Sequence, residues 1–343
     1  MREFAIMKIT TLHNFTSKGA IRMYQITRGK WNDHETVILH SDTLEATLLP
    51  SLGANLIRLW DKVLERDILR TPAESDLDYY MTKPYHFGIP MLMPPGRIRR
   101  GQFQYAGVSY QFDQNTANNN HIHGLHRLQS WQVTRAEATE DHAIVTVQFH
   151  SSEDKHWMEQ YPTPLQFELT YVLKGSQLTQ QLQVTNVGGQ TAPFGFGTHT
   201  WLQLDGEPNR WTLQVPVTGV YELDEELIMT GNTLPLSENE KLLSGMNLEG
   251  TDFDTVFSIG EHKPEAWLSR EDGYRIRYTG NEPWFKHWVL YTRGTANEII
   301  CIEPYTWLPD APNLPFGNEV TGLIELEPNK PVILNLELEI QHP

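Results

Sequence analysis

The segment Asn118–Arg127, reading NNNHIHGLHR, puts three histidines, three asparagines and an arginine into ten residues with a single glycine. A run this polar is not buried without partners for each hydrogen-bonding group, so it is either a solvated surface loop or the lining of a polar pocket. Two distant segments favour the pocket: Phe194–Leu204 (FGFGTHTWLQL) and Cys301–Asn313 (CIEPYTWLPDAPN). Each carries one proton-transfer side chain, His199 or Glu303, beside aromatic rings and turn-forming residues. Together they suit acid–base chemistry on a polyhydroxylated ligand, and a sugar is the first candidate.

Glu303 follows the apolar run Ile299–Ile302 and precedes Pro304, so it reads as the last residue of a buried strand. Partial desolvation there raises a carboxyl pKa and makes a usable base near neutral pH. A structural carboxylate bonded to loop amides reads equally well from this segment alone. His199 lies between two threonines after Gly195 and Gly197, which let backbone approach closely, and Trp201 offers a flat wall. Imidazole suits proton donation at neutral pH; the competing reading is a histidine that only closes a loop's hydrogen bonds. His121, His123 and His126 match metal ligands in number but not in spacing, and there is no H-E-x-x-H or cysteine pair, so no metal is expected. His123, before Gly124, is the most pocket-like of the three, with His121 and His126 supporting it or exposed. Arg97, on a loop stiffened by Pro94, Pro95 and Gly96, presents a planar fork suited to a hydroxyl pair or an anion, or to one of the many acids. Asp254 is an acceptor for sugar hydroxyls or a surface turn acid. G-x-S-x-G and phosphate-cradling glycine motifs are lacking, and a thiol nucleophile at Cys301 has no supporting partner in the sequence.

The elements that must position these residues read as strands. Leu334, Leu336, Leu338 and Ile340 alternate with polar residues; so do Phe167, Leu169, Tyr171 and Leu173, then Val145, Val147 and Phe149, then Leu182 and Val184. Turn signals separate the runs at Lys174-Gly175, Asn186–Gly189, Asp272-Gly273 and Pro328-Asn329. Short helical turns are expected only within Asp61–Arg70 and Ala73–Met81. Many short strands imply antiparallel sheets packed face to face, and no linker divides the chain, so one all-β domain over residues 1–343 is expected.

The chain has 43 acidic and 27 basic residues, a net charge of −16, which repels nucleic acid. Cys301 is the sole cysteine, which excludes an intrachain disulfide and fits a reducing compartment. The start, Met1–Thr10, lacks a signal-peptide pattern, and no apolar run reaches membrane-spanning length. A soluble cytoplasmic protein, monomeric or homodimeric, is expected, with Met1 and Met7 both open as the native start.

In order and chemistry, five segments resemble the aldose 1-epimerase (galactose mutarotase-like) family: Gly88–Ile98, Asn120–Gly124, Thr198–Leu204, Phe253–Phe257, and Cys301–Pro304 with Pro309–Asn313. The resemblance implies a large antiparallel β-supersandwich, a sugar cleft and no cofactor. It makes Glu303 the general base and His199 the general acid, on opposite sides of a hemiacetal. It has His123 orient the ring-opening region, and Arg97 and Asp254 grip ring hydroxyls. Two departures stand out. Leu125 replaces the second glycine usual in galactose-type members, and His123–Arg127 followed by Trp131 looks closer to hexose-6-phosphate 1-epimerases. Arg127 therefore opens the alternative of an anionic sugar. A non-catalytic carbohydrate-binding protein, and a glycosidase using Asp254 and Glu303, are the rival classes.

Overall fold

A computed structural model describes residues 23–294 and 298–343. The readings of Met1–Thr10 and of the start methionine lie outside the described residues. Antiparallel sheets dominate, as expected. Nine strands form the largest sheet, in the order Gln132–Ala138, Ala143–His150, Leu165–Lys174, Gln177–Asn186, Pro331–Gln341, Arg275–Gly280, Glu265–Arg270, Trp211–Gln214 and Met246–Asn247. Alternation reports burial faithfully here: Leu165, Phe167, Leu169, Tyr171 and Leu173 are buried, while Gln166 and Lys174 are exposed. The pair Lys174-Gly175 and the pair Asp272-Gly273 both sit in hairpin turns of this sheet.

The second large sheet carries the chemistry. Its path runs Met229–Leu234, Gly219–Leu223, Asp254–Ser258, His287–Tyr291, Ile299–Tyr305, Gly197–Thr198 and Met91–Leu92, and Thr200–Gln203 also pairs with Ile299–Tyr305. All seven residues of Ile299–Tyr305 are buried, because both faces of this strand are covered. Ile300 and Ile302 join the main core. Cys301 packs with Trp201, and Tyr305 packs with Tyr85, Val256 and Val289 on the other face. The strand continues two residues past Glu303, so Glu303 lies within it rather than at its end.

A five-stranded sheet, from Gln25–Trp31 to Arg66–Asp67, completes the N-terminal part. The helical turn expected in Asp61–Arg70 is a hairpin instead. The Asp61 carboxylate accepts hydrogen bonds from the Val63 and Leu64 amides at 2.9 and 3.1 Å, which reverses the chain before a helix can start. The turn expected in Ala73–Met81 is present, as a 3₁₀ turn at Glu74–Asp76 and a helix at Leu77–Thr82. No helix among the described residues is long and apolar enough to cross a membrane.

Candidate active site

Sheet register brings the acid and the base together. Gly197 pairs with Tyr305 and Thr200 with Ile302, which sets His199 opposite Glu303 on the cleft face. His199 Nδ1 and Glu303 Oε1 are 3.3 Å apart, and both side chains are buried. Expected on opposite sides of a ligand, the two groups stand side by side instead, because neighbouring antiparallel strands present facing residues to the same surface. Tyr305, two residues along the same strand face, donates its hydroxyl proton to Glu303 Oε2 at 2.7 Å. Gly197 allows this: a Cβ there would lie 2.5 Å from the Tyr305 ring.

Burial sets the protonation of the pair. It pushes the Glu303 carboxyl well above the ordinary range, opposed by the Tyr305 hydrogen bond. It pushes the His199 imidazole down to about 3, helped by the field of His86. Each group alone favours its neutral form. The neutral pair holds one proton, on Glu303, and its passage to His199 gives the form in which Glu303 is the base and His199 the acid. No hydrogen bond joins the two here, His199 Nδ1 having no partner among the described residues.

The surrounding cleft encloses roughly 200 Å³, smaller than the roughly 300–1,000 Å³ typical of drug-sized sites. His123, Arg97 and Asp254 line it together with His199 and Glu303. Arg97–Ile98 pairs with His121–Ile122, with Ile122 opposite Arg97. His123 follows with φ of +66°, an unusual conformation for a side chain of its size, and its amide donates to the Gly96 carbonyl at 3.1 Å. Gly124 is required next: φ is +75°, and a Cβ would lie 2.1 Å from the Met93 carbonyl oxygen. The two loops therefore brace each other and aim His123 at the cleft, its ring 5.6 Å from that of His199. Asp310 completes the brace by donating its amide to the Arg97 carbonyl and accepting the Arg99 amide. Asp254 stays exposed while lining the cleft, across from Tyr291 in the sheet. Partial burial raises its carboxyl, and the facing Arg97 lowers it.

Two expected binding residues sit elsewhere. Trp201 is 1% exposed and lies behind His199, stacked on its ring at 4.8 Å, with its indole N–H donating to the Tyr85 carbonyl. It orients the imidazole and leaves no face for a ligand. Arg127 is half-buried against Tyr85, its guanidinium carbon 5.6 Å from that ring, and does not line the cleft. His121 and His126 are both buried, neither exposed; His121 Nδ1 pairs with the Asp113 carbonyl at 2.7 Å. Leu125, the departure from the usual glycine, packs against the main core rather than the cleft. Burial raises the Cys301 thiol well above its ordinary value, which keeps it protonated and a poor nucleophile.

Tyr85, His86, Tyr291 and Tyr305 line the cleft as well, as do Leu223, at the end of its strand, and Leu227, on the following loop held by charge. Arg99 pairs with Asp224 at 2.5 Å, and Glu226 takes Arg100 and the Asn120 amide, each at 2.9 Å. Sequence reasoning singled out none of these. Only Tyr305 left a readable signal, its two-residue offset from Glu303 on one strand. A wider groove of about 870 Å³ lies nearby, but its carboxylate, Asp310, is already committed to the Arg99 amide and to Asn313.

A model of the family described as aldose 1-epimerase matches residues 35–338. The chain is 28% identical over 305 residues to the uncharacterized protein YihR of Escherichia coli (strain K12), covering 87% of this chain and 90% of that one. It is 26% identical over 276 residues to the galactose mutarotase of Rattus norvegicus, covering 70% and 76% of the two chains. A galactose mutarotase-like protein from Clostridium acetobutylicum superposes with a TM-score of 0.87 at 25% identity, over 93% of this chain and 99% of that one. A galactose 1-epimerase from Lactobacillus acidophilus shares the fold at 18% identity, with a TM-score of 0.74 over 93% and 98% of the two chains.

Proposed function

Because the chain belongs to the aldose 1-epimerase family, we propose that it interconverts the α and β anomers of a hexose by opening and reclosing the ring. The observation that carries this reading is the contact of His199 Nδ1 with Glu303 Oε1 at 3.3 Å, on the wall of a cleft sized for one small ligand. Glu303 takes the proton of the C1 hydroxyl as the bond between C1 and the ring oxygen breaks. The electron pair of that bond stays on the ring oxygen, which receives a proton from His199. The product is the open-chain aldehyde. Rotation about the bond from C1 to C2 presents the other carbonyl face, and the same transfers in reverse close the ring as the other anomer.

Two neighbouring groups on one wall can serve this reaction because the C1 hydroxyl and the ring oxygen are bonded to the same carbon. Each well-placed transfer contributes roughly 10²–10⁴-fold, or about 3–5 kcal/mol. His123 orients the ring-opening region, Arg97 holds hydroxyls from the loop braced against it, and Asp254 holds them from the same sheet as Glu303. A pure sugar-binding protein has no use for a desolvated acid–base pair, whose burial costs stability.

Polarimetry on freshly dissolved α-glucose and α-galactose tests the proposal, with proton exchange spectroscopy to extend it to acidic hexoses. Accelerated approach to the anomeric equilibrium is expected for at least one of them. Binding without acceleration across the panel refutes the enzymatic reading, and release of sugar from an aryl glycoside moves it to hydrolysis.

The Tyr305 hydroxyl supplies a further check. It favours the ionised form of Glu303, so Tyr305→Phe is expected to raise the Glu303 pKa further. A base must be unprotonated to act. The acid limb of the kcat/KM profile is therefore expected to move to higher pH, with turnover at pH 7 reduced several-fold. An unmoved limb in that variant detaches Tyr305 from the base.

A further inference from the structure

Cys301 stands beside the acid–base pair, and the proton-transfer chemistry leaves it unused. It precedes Glu303 by two residues on the strand Ile299–Tyr305, so both side chains point to the same face. Cys301 pairs across the sheet with Trp201, and Thr200 with Ile302, which carries His199 to the same place. Three buried ligand types meet there: His199 Nδ1, the Cys301 sulfur and a Glu303 carboxylate oxygen all lie within 4.8 Å of one another. Among the described residues no other three histidine, cysteine or carboxylate side chains converge in this way, and His121, His123 and His126 take no part.

His199 Nδ1 has no hydrogen-bond partner, although the residue is only 6% exposed. The ring stacks on Trp201 at 4.8 Å, which fixes where that nitrogen points. Tyr305 occupies Glu303 Oε2 and leaves Oε1 open, 3.3 Å from His199 Nδ1. Nitrogen and oxygen ligands about 2.05 Å from a tetrahedral zinc ion stand about 3.3 Å apart, the separation found here. A sulfur ligand, about 2.3 Å from the ion, stands about 3.6 Å from the other two, so from at most 4.8 Å the Cys301 sulfur has to close by about 1.2 Å or less.

The electrostatics agree. Burial, then the field of Glu303, raises the Cys301 thiol, with Arg70 and Arg293 opposing more weakly. A dication serves two groups that hinder each other's ionisation, because a thiolate and a carboxylate together match its charge and the buried assembly is neutral. The imidazole enters neutral, the form its burial already favours.

We propose that His199, Cys301 and Glu303 form a binding site for a thiophilic divalent cation, Zn²⁺ above all, which shuts the active site when it is occupied. Nδ1, Sγ and Oε1 supply three ligands, and water on the cleft side supplies the fourth. Binding displaces two protons, one from the Cys301 thiol and one from the pair of His199 and Glu303. Neither the acid nor the base is then free to act. The mixed nitrogen, sulfur and oxygen set selects against Mg²⁺ and Ca²⁺, which take oxygen ligands. The ion enters through the cleft, which His199 and Glu303 line. Zn²⁺ is here an inhibitor and not a cofactor. The binding site rests on geometry; only its effect on turnover rests on the proposed epimerase function.

The test uses the full chain, stripped of metal by a chelator, with Co²⁺ and Zn²⁺ as probes. Cys301 is the sole cysteine, so a sulfur-to-cobalt charge-transfer band in the near ultraviolet reports on this residue alone. The band is expected in the parent, displaced by Zn²⁺, and absent in Cys301→Ala. Zn²⁺ is expected to slow anomer exchange at least about tenfold, reversibly by chelator, while Mg²⁺ has no effect. Cys301→Ala is expected to keep the basal exchange rate and to need about tenfold or more Zn²⁺ for the same inhibition, since even an outer partner of a ligand is worth about 10–100-fold in metal affinity. Cys301→Ser makes the same comparison if the alanine variant does not fold. Glu303→Gln is expected to weaken cobalt binding about tenfold or more, which separates a three-ligand site from a lone thiol. No band in the parent, cobalt binding unchanged in Glu303→Gln, or equal zinc inhibition of the parent and the cysteine variants overturns the inference. If no sugar exchanges anomers, the epimerase reading falls, and the cobalt spectra decide the metal site by themselves: a band weakened in Glu303→Gln and lost without Cys301 upholds it, and no band overturns it.

Discussion

Glu303→Gln is expected to lower kcat by at least about a hundredfold, or about 2.7 kcal/mol, while the sugar still binds. Glutamine keeps the size of the side chain and an oxygen that can accept from Tyr305, but its amide takes no proton at neutral pH. The substitution removes the ionisable partner of His199 without emptying the wall on which both stand. Losing a buried ionisable group to an isosteric amide is not expected to unfold the strand, because the desolvation cost of the charge disappears with it. Saturation kinetics by exchange spectroscopy separate kcat from KM. A fall confined to kcat marks an interaction made in the transition state. Near-normal turnover removes Glu303 from the role of base.

His199→Asn is expected to show a loss of similar size, again about a hundredfold or more in kcat. The amide of asparagine neither gives nor takes a proton at neutral pH, and its shorter side chain leaves the Trp201 face uncovered. The two substitutions together are expected to cost little more than either alone. The pair acts as one proton-passing unit, and groups that act as a unit are far from additive. Multiplicative losses in the double variant instead assign the two groups to separate steps. Retention of activity within about threefold in the single variant ends the acid role of His199. A melting curve on each protein separates lost chemistry from lost folding.

Much of the architecture was legible because a strand declares itself residue by residue. The alternation of Phe167, Leu169, Tyr171 and Leu173, and of Leu334, Leu336, Leu338 and Ile340, matches their burial in one sheet. Glycine-containing turn pairs fell where hairpins turn. The failure at Asp61–Arg70 has a local cause, a carboxylate that captures two amides of its own turn. Of the site, Glu303, His199, His123, Arg97 and Asp254 were identifiable by residue type and motif, and one cleft gathers them. The residues misplaced were Trp201 and Arg127, both large side chains whose direction is set by neighbours far away in sequence.

Composition and periodicity by themselves determined that this chain builds antiparallel sheets, and its motif chemistry determined which groups can move a proton. Both are properties of short stretches: a side chain's affinity for water and its capacity to hold a proton travel with the residue. The tertiary structure alone decided the pairing of Gly197 with Tyr305 and of Thr200 with Ile302, and with it the meeting of His199 and Glu303. It also decided that Trp201 stands behind an imidazole and that Arg127 lies against Tyr85 without lining the cleft. Register between segments a hundred residues apart depends on the packing of whole sheets. Desolvation, which shifts the protonation of the buried pair, exists only once those sheets have closed over it.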